Sequence, residues 1–475
     1  MAGQIKFGTD GWRGLIADDF TFENVRKCAQ GLADYLKSIG IDSQGVVIGY
    51  DTRFLSKDFA DAVASVLAGS NIKVYLCTKA APTPVVSFNV LHYRAAGAVI
   101  ITASHNPHNW NGFKFKPEYA GSATQEITDA LECKIDLVNV VHEIPLGTAR
   151  SNDLLVDIDP DPPYIKSIEE QVSLKFIKDA GLHVGVDSMF GSGSGYIKRL
   201  LSGGLTTVRE LHSEVNPSFP GMEQPEPIAH NLLELSNLVI DNNLSVGIAL
   251  DGDADRVGII SDSGSFVSTL ETFSLLAWYM LEHKGERGDI VKGITSSHML
   301  NKLASKYGVD VHEMRVGFKF IGPKMSETNA VIGGEESGGF AFRGHIPERD
   351  GILSGLLVLE NMATTGKSVS SLMSDLFDIV GHHSYERRDI KFDLKEKNRL
   401  IEKLNACAAQ THIGDQEILG CEQLDGVKLL VTDGWIASRF SGTEPLLRIY
   451  CEADSDQRVA YLLDLMQDYL GVRND

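Results

Sequence analysis

The chain of 475 residues has no apolar run near the ~18 residues a membrane-spanning helix needs. Its strongest candidates, Ala95–Ala103 and Leu275–Leu281, have the length of core segments. It opens Met1-Ala2-Gly3-Gln4-Ile5-Lys6, with no basic stretch leading into an apolar one, so no secretory signal is expected. Positive charge is scarce: 44 Lys and Arg face 64 Asp and Glu, a net charge of −20. Such a field repels nucleic acid and anionic membrane, so neither is expected as a partner. An anionic substrate would have to be held locally, by a few arginines and backbone amides in a cleft. The six cysteines, Cys28, Cys77, Cys133, Cys407, Cys421 and Cys451, form no CxxC and no zinc-finger spacing. They read as reduced, mostly buried thiols. Hydrophobic residues at 43% and charged residues at 23% exclude disordered and low-complexity classes. A soluble, cytoplasmic protein of about two to four domains is expected, as a monomer or homodimer.

What is present is an alternation of strand-like and helix-like segments. Val46–Tyr50, Ile72–Cys77 and Gly97–Ala103 read as strands, with helices over Ser56–Ala68, capped by Ser56 and stopped at Gly69, and over Pro84–Arg94. The order recurs: strands Leu182–Asp187, Thr206–Leu211 and Val246–Leu250, with a Gly/Ser turn at Gly191–Gly195 and a helix over Leu232–Asn242. It recurs again with strands Ile290–Ile294, Val309–Met314 and Ala330–Ile332 and helices Met299–Tyr307 and Phe320–Thr328. This is a weak repeat of roughly 100 residues, each copy ending its third strand in a polar motif, where α/β sheets bind ligands. A fourth unit differs: a helix near Leu394–Gln410, strands near Gly426–Thr432, Trp435–Phe440 and Leu446–Glu452, then a last helix. The expected domains are 1–155, 156–265, 266–383 and 384–475.

Five motifs carry polar chemistry. Thr102-Ala103-Ser104-His105-Asn106-Pro107 places a hydroxyl at a strand end, as a nucleophile, a phosphate carrier or an ordinary helix-capping serine. Asp251-Gly252-Asp253-Ala254-Asp255-Arg256 puts three carboxylates at every second position, a set of hard oxygen ligands that suits Mg²⁺. An EF-hand needs Gly at loop position 6 and Glu at position 12, and Arg256 and Asp262 stand there instead. A solvated acidic turn is the alternative. Gly333-Gly334-Glu335-Glu336-Ser337-Gly338-Gly339 offers paired acids to sugar hydroxyls, or is a flexible turn. Arg439-Phe440-Ser441-Gly442-Thr443-Glu444-Pro445 makes an anion cradle or a β-turn. Phe7-Gly8-Thr9-Asp10-Gly11-Trp12-Arg13-Gly14 sets glycines around Arg13, allowing close approach to an anion or simply a tight turn.

No single motif decides. Together, in this order from Phe7 to Arg448, they resemble the α-D-phosphohexomutase superfamily, the phosphoglucomutases and phosphomannomutases. The resemblance implies three related α/β domains with mixed sheets and a smaller α+β C-terminal domain around a central cleft. It implies that Ser104 is the phosphoserine and that Asp251, Asp253 and Asp255 hold Mg²⁺ with it. Arg256 would neutralise charge beside them. Arg13 and Lys114 would flank the phosphoserine, Lys114 as a candidate acid/base and His105 as a supporting polar group. Glu335 and Ser337 would grip sugar hydroxyls, while Arg439, Ser441, Gly442 and Thr443 would bind the phosphate that is not transferred. Glucose 1,6-bisphosphate would be intermediate and activator, and small phosphosugars the partners.

Two departures bear on substrate. Many bacterial relatives end the sugar loop in His, where Gly339 stands, and carry Gly-His-Ser where this chain has Gly317-Phe318-Lys319. The latter resembles phosphoglucomutases with a Gly-aromatic-Lys-Phe loop. Glucose phosphates are therefore expected, with Lys319 as a phosphate or sugar contact and His345 either taking the place of the missing histidine or standing as a surface or hinge residue. Mannose or pentose phosphates, or a bisphosphate synthase on the same scaffold, are the alternatives. A phosphatase using Asp251 and Asp253 as a nucleophile pair is disfavoured by Asp255 in its fifth position. A catalytically silent binding protein is disfavoured because the reactive positions are intact.

Overall fold

In a computed structural model, which describes residues 5–8, 10–441 and 446–472, one strand order occurs three times. Each of the first three sheets contains three parallel strands, with the earliest of the three in the middle. An antiparallel strand then flanks the third. In the first sheet these are Val46–Tyr50, Val74–Cys77 and Gly97–Ile101, flanked by Trp110–Pro117. In the second they are His183–Asp187, Thr207–Leu211 and Val246–Leu250, flanked by Val257–Ile260. In the third they are Ile290–Gly293, Val311–Met314 and Ile332–Gly334, flanked by Phe340–Phe342. Three of the five polar motifs are thus the loops between a parallel strand and its antiparallel partner. Central strands such as Val46–Tyr50, Gly97–Ile101 and Val246–Leu250 are buried at every position, which explains their unbroken apolar runs.

The fourth sheet is antiparallel: Ser384–Lys391, Leu446–Ala453, Gly434–Phe440, Val427–Val431 and Gly420–Glu422. Helices Lys397–Ala408 and Asp456–Leu470 supply its core, with Leu400, Leu404, Leu463 and Met466 packed on Leu429, Leu447 and Ile449. One continuous apolar cluster joins the first three units, running through Val47, Val186, Ile248, Leu356 and Leu376. The C-terminal unit keeps its core to itself.

Several expectations change. The first sheet runs on to Leu155–Ile158, paired with Val74–Cys77, and the second to Phe266–Val267, paired with Val257–Ile260. Ser56 lies inside helix Ser56–Gly69 rather than capping it, because the Asp51 carboxylate takes its hydroxyl at 2.7 Å; Leu55, at φ 61°, precedes the helix. Helix Phe22–Ile39, capped by Thr21 on Asn24 N, was not expected. Of the six cysteines, Cys28, Cys77, Cys407 and Cys451 are buried, and all six are free.

Candidate active site

The loop after Gly97–Ile101 turns sharply at Ser104, whose φ of 53° is a left-handed conformation that a non-glycine residue holds only under constraint. Arg53 supplies the constraint. Its guanidinium is buried and donates to the backbone oxygens of Ser104 at 2.7 Å, Asn106 at 2.5 Å, Pro107 at 2.8 Å and Trp110 at 3.2 Å. The Ser104 Oγ donates to Asp251 Oδ2 at 2.9 Å and lies 3.2 Å from His105 Nδ1. Arg13 Nη1 donates to Asn106 Oδ1 at 2.6 Å, so its guanidinium borders the same loop.

The second loop meets the first at Gly252. A Cβ there would stand 2.5 Å from the Ser104 carbonyl oxygen, so only glycine lets the two backbones touch. Asp251, Asp253 and Asp255 are fully buried, with one carboxylate oxygen of each inside a 4.8 Å cluster. Asp251 titrates well above the ordinary carboxylate range, through burial and then the charges of Asp255 and Asp253. Burial also lifts Asp255. Burial pushes Asp253 the same way, but the Lys114 ammonium and the hydrogen bonds from Lys114 and Thr83 outweigh it and hold this group low. Among the described residues, Asp253 Oδ1 and Asp255 Oδ1 have no hydrogen-bond partner although buried. Three converging carboxylates with two unsatisfied oxygens fit a hard divalent cation such as Mg²⁺.

Lys114 lies within the cluster, 2.7 Å from Asp10, 2.8 Å from Asp253 and 3.4 Å from Asp255. Burial disfavours its charge, but those three carboxylates raise its affinity for the proton, so it is a fixed cation. His105 is the opposite. Burial, then Arg256, Arg13, Arg53 and Lys114, hold it neutral, well below the ordinary imidazole range. Arg256 is anchored by its own backbone N–H to Asp251 at 3.0 Å and by Nη1 to Glu226 at 2.8 Å.

The third loop is joined to this cluster through Arg349. Glu335 is buried and raised by that burial; it accepts from Gly317 N at 2.9 Å and pairs with Arg349 at 3.4 Å. Ser337 is part-exposed on the same loop. Lys319, on the first turn of helix Phe318–Thr328, reaches the first unit, 2.8 Å from Gln125 Oε1 and 3.4 Å from Gly8 O, and half-burial lowers its proton affinity.

His345 is not brought to this cluster. Its imidazole is enclosed, bonded to Ser167 at 3.1 Å and Asp350 at 3.0 Å and stacked on Phe88. The space beside Gly339 belongs to Arg349 instead: a Cβ on Gly339 would come within 2.2 Å of Arg349 Cδ. Arg349 also contacts Asp10 and Asp255, each at 2.8 Å, and Glu348 at 3.3 Å, so one guanidinium joins the second and third loops to the Asp10 segment.

Arg439 closes the far end on strand Gly434–Phe440, 3.2 Å from Asp425, with Arg448 directly opposite it on the neighbouring strand. Ser441 N donates to Leu446 O at 2.8 Å. Gly442 and Thr443 lie outside the described residues.

Sequence comparison bears directly on this arrangement. The profiles for phosphoglucomutase/phosphomannomutase alpha/beta/alpha domains I, II and III match residues 4–138, 162–264 and 271–380, and that for the C-terminal domain matches 390–468. A phosphoglucomutase/phosphomannomutase of Thermococcus kodakarensis is 31% identical over 97% of both chains. The chain belongs to the phosphoglucomutase/phosphomannomutase family. A Thermococcus gammatolerans relative, designated a probable phosphoglucosamine mutase, is 32% identical over 96% of both chains. The crystal structure of a Thermus thermophilus protein designated a "putative phosphomannomutase" superposes with a TM-score of 0.86 at 34% identity, covering 99% of this chain and 100% of that one. Membership of the α-D-phosphohexomutase superfamily makes the protein an isomerase that moves phosphate within a sugar phosphate. No helix among the described residues is long and apolar enough to cross a membrane.

The cluster also draws on residues to which no motif assigned a role. Arg53 and Arg349 are two. Asp10 lies within a singled-out motif, but as the shared acceptor for Lys114, Lys116 and Arg349 it is a third. Lys116 is fully buried between Asp10 and Glu348. The one available signal was lysine at alternate positions in Phe113-Lys114-Phe115-Lys116, which puts both lysines on one face of a strand.

Proposed function

We propose that the protein interconverts α-D-glucose 1-phosphate and glucose 6-phosphate through a phosphoserine at Ser104 and a hexose 1,6-bisphosphate. The observation that carries this reading is the Ser104 hydroxyl held 2.9 Å from Asp251 within a buried three-aspartate cluster. Asp251, Asp253 and Asp255 would hold Mg²⁺, which when bound offsets the charge of the transferring phosphoryl group. The chain's own residues do the rest. Arg53 fixes the Ser104 backbone, so the hydroxyl stays aimed at the cleft. Lys114, permanently cationic, and Arg13 and Arg256 surround the phosphate oxygens as charge accumulates.

When a phosphoryl group moves from bisphosphate to Ser104, a P–O bond to Oγ forms and the P–O bond to the sugar breaks. The Ser104 proton then needs an acceptor. It ends on the departing sugar oxygen, so the sugar leaves as an alcohol, and Asp251 Oδ2, which accepts from the hydroxyl at 2.9 Å, is placed to relay it; the cations that hold His105 neutral, 3.2 Å from Oγ, make it a poor base, and Lys114 is saturated by three carboxylates. Glu335 accepts from sugar hydroxyls, and Arg439 holds the phosphate not in transfer. The intermediate must turn round between half-reactions, so this last contact has to accept either end of it.

Glucose is favoured by Gly317-Phe318-Lys319, which puts the Lys319 ammonium between the third unit and the Gly8 segment. The relatives designated phosphoglucosamine mutase favour a second reading, a 2-amino sugar phosphate. Phosphorus NMR with Mg²⁺, catalytic glucose 1,6-bisphosphate and glucose, mannose or glucosamine 1-phosphate separates them. The Ser104→Ala chain should fold normally and turn none of them over. Retained turnover in that variant would sink the phosphoserine mechanism. Bisphosphate accumulating from a separate donor, with little isomerisation, would move the chain to a synthase.

A further inference from the structure

We infer that Glu336 is a positioning residue that ties the sugar loop to the C-terminal unit, so that sugar and distal phosphate are gripped in one cooperative event. This deepens the proposed function and rests on it. Adjacent carboxylates of the loop face opposite ways. Glu335 turns inward to Gly317 N and Arg349. Glu336 turns outward and crosses the domain seam: its Oε1 accepts from Tyr385 Oη at 3.0 Å and from Arg387 Nη1 at 3.3 Å, both on the first strand of the C-terminal sheet. The loop is pinned in turn to the third unit and to the second. Thr269 Oγ1 donates to the Glu336 carbonyl at 2.5 Å, and Val257 N to that of Gly338 at 3.0 Å.

Beyond Arg387 the charges continue across the sheet. Arg387 Nε is 3.1 Å from Asp389. Asp389 stands opposite Arg448, and Arg448 opposite Arg439, on successive strands. Like charges directly opposite one another repel, so the arginine pair depends on neighbouring acids for its placement. Any movement of the C-terminal sheet that brings Arg439 to a phosphate therefore pulls on Glu336, and ordering of the sugar loop holds the sheet in return. Such coupling is reciprocal.

The test is calorimetric, on the full chain with Mg²⁺. Inorganic phosphate is titrated alone and with saturating glucose. In the wild type, glucose should tighten phosphate binding by about 5–10-fold. In Glu336→Gln and in Arg387→Met that factor should fall to within about twofold of unity, and the double variant should lose no more. Tyr385→Phe should keep about half of the effect on a logarithmic scale. The glucose 1-phosphate KM of Glu336→Gln should rise about tenfold while kcat stays within about threefold. A merely structural role would instead lower the melting midpoint and leave the coupling factor intact. Retained coupling in Glu336→Gln, or additive binding in the wild type, overturns the latch and leaves the mutase reading standing. Failure of the wild type to bind either probe, with turnover retained in Ser104→Ala, overturns both.

Discussion

Around Ser104 and the three aspartates, the charges are buried, clustered with charges of opposite sign and drawn from units that share one apolar core. Around Arg439 they lie partly exposed on a sheet whose core is its own, joined to the third unit by polar contacts. Those contacts include Lys428 with Glu313 at 2.8 Å, His298 N with Glu452 at 2.9 Å and Val316 N with Asp425 at 3.0 Å. The first arrangement suits charge stabilisation in a water-poor site, where fixed dipoles need no reorganisation as the reaction proceeds. The second suits recognition that must form and release. Polar seams of this kind permit relative motion of the domains they join.

The comparison can be broken by asking which kinetic constant each region controls. Asp253→Asn should lower kcat for glucose 1-phosphate by about a thousandfold or more, with little change in KM. Lys114→Met leaves Asp10, Asp253 and Asp255 without their shared cation. It should lower kcat by about a hundredfold or more and also cost about 3–5 kcal/mol of stability, read by urea unfolding. Gly252→Ala drives a methyl against the Ser104 carbonyl and should cost about a hundredfold in kcat, because the loops can no longer touch. Arg439→Met, in contrast, should raise KM about tenfold with kcat nearly unchanged. A collapse of kcat in that variant would mean that both ends of the cleft act in the transition state.

The smallest effect is on stability against pH. His298 is held down to about 3 by burial, then by Lys292 and Lys428. Glu313 is held at about 2, because the same lysines outweigh burial. An unfolded His298 takes its proton near 6.5, so between 6.5 and 3 the unfolded chain binds more protons and stability falls as the pH is lowered. Glu313 adds a loss as pH falls from 4.5 toward 2. Both groups sit at the seam. The melting midpoint followed by Trp435 fluorescence should drop by a few degrees between about pH 7 and 5, and Lys428→Met should flatten that slope.

The sequence showed the strand–helix order and the five motifs because these are local: acids at alternate positions, glycines around an arginine, a hydroxyl at a strand end. It did not show what depends on remote pairing. Arg349 meets Asp10 across 339 positions, and Lys116 meets Glu348 across 232. His345 and Arg349 belong to one short segment, and nothing in their spacing says which reaches Gly339; the Asp350 carboxylate and Ser167 draw the histidine away. The flanking strand Trp110–Pro117 escaped notice because its lysines look solvent-facing, yet both are buried by acids from other loops.

The loop bearing the three aspartates has a further consequence, for synthesis. Its Ala254 carbonyl accepts from Gly351 N at 3.0 Å, and helix Gly351–Thr365 belongs to the core beneath it. A ribosome releases the loop about 100 residues before the helix that seats it. Until then the nascent chain carries its acidic cluster without the neighbour that fixes its shape. A product truncated before Thr365 would therefore lack an organised carboxylate cluster, although every aspartate in it had been translated.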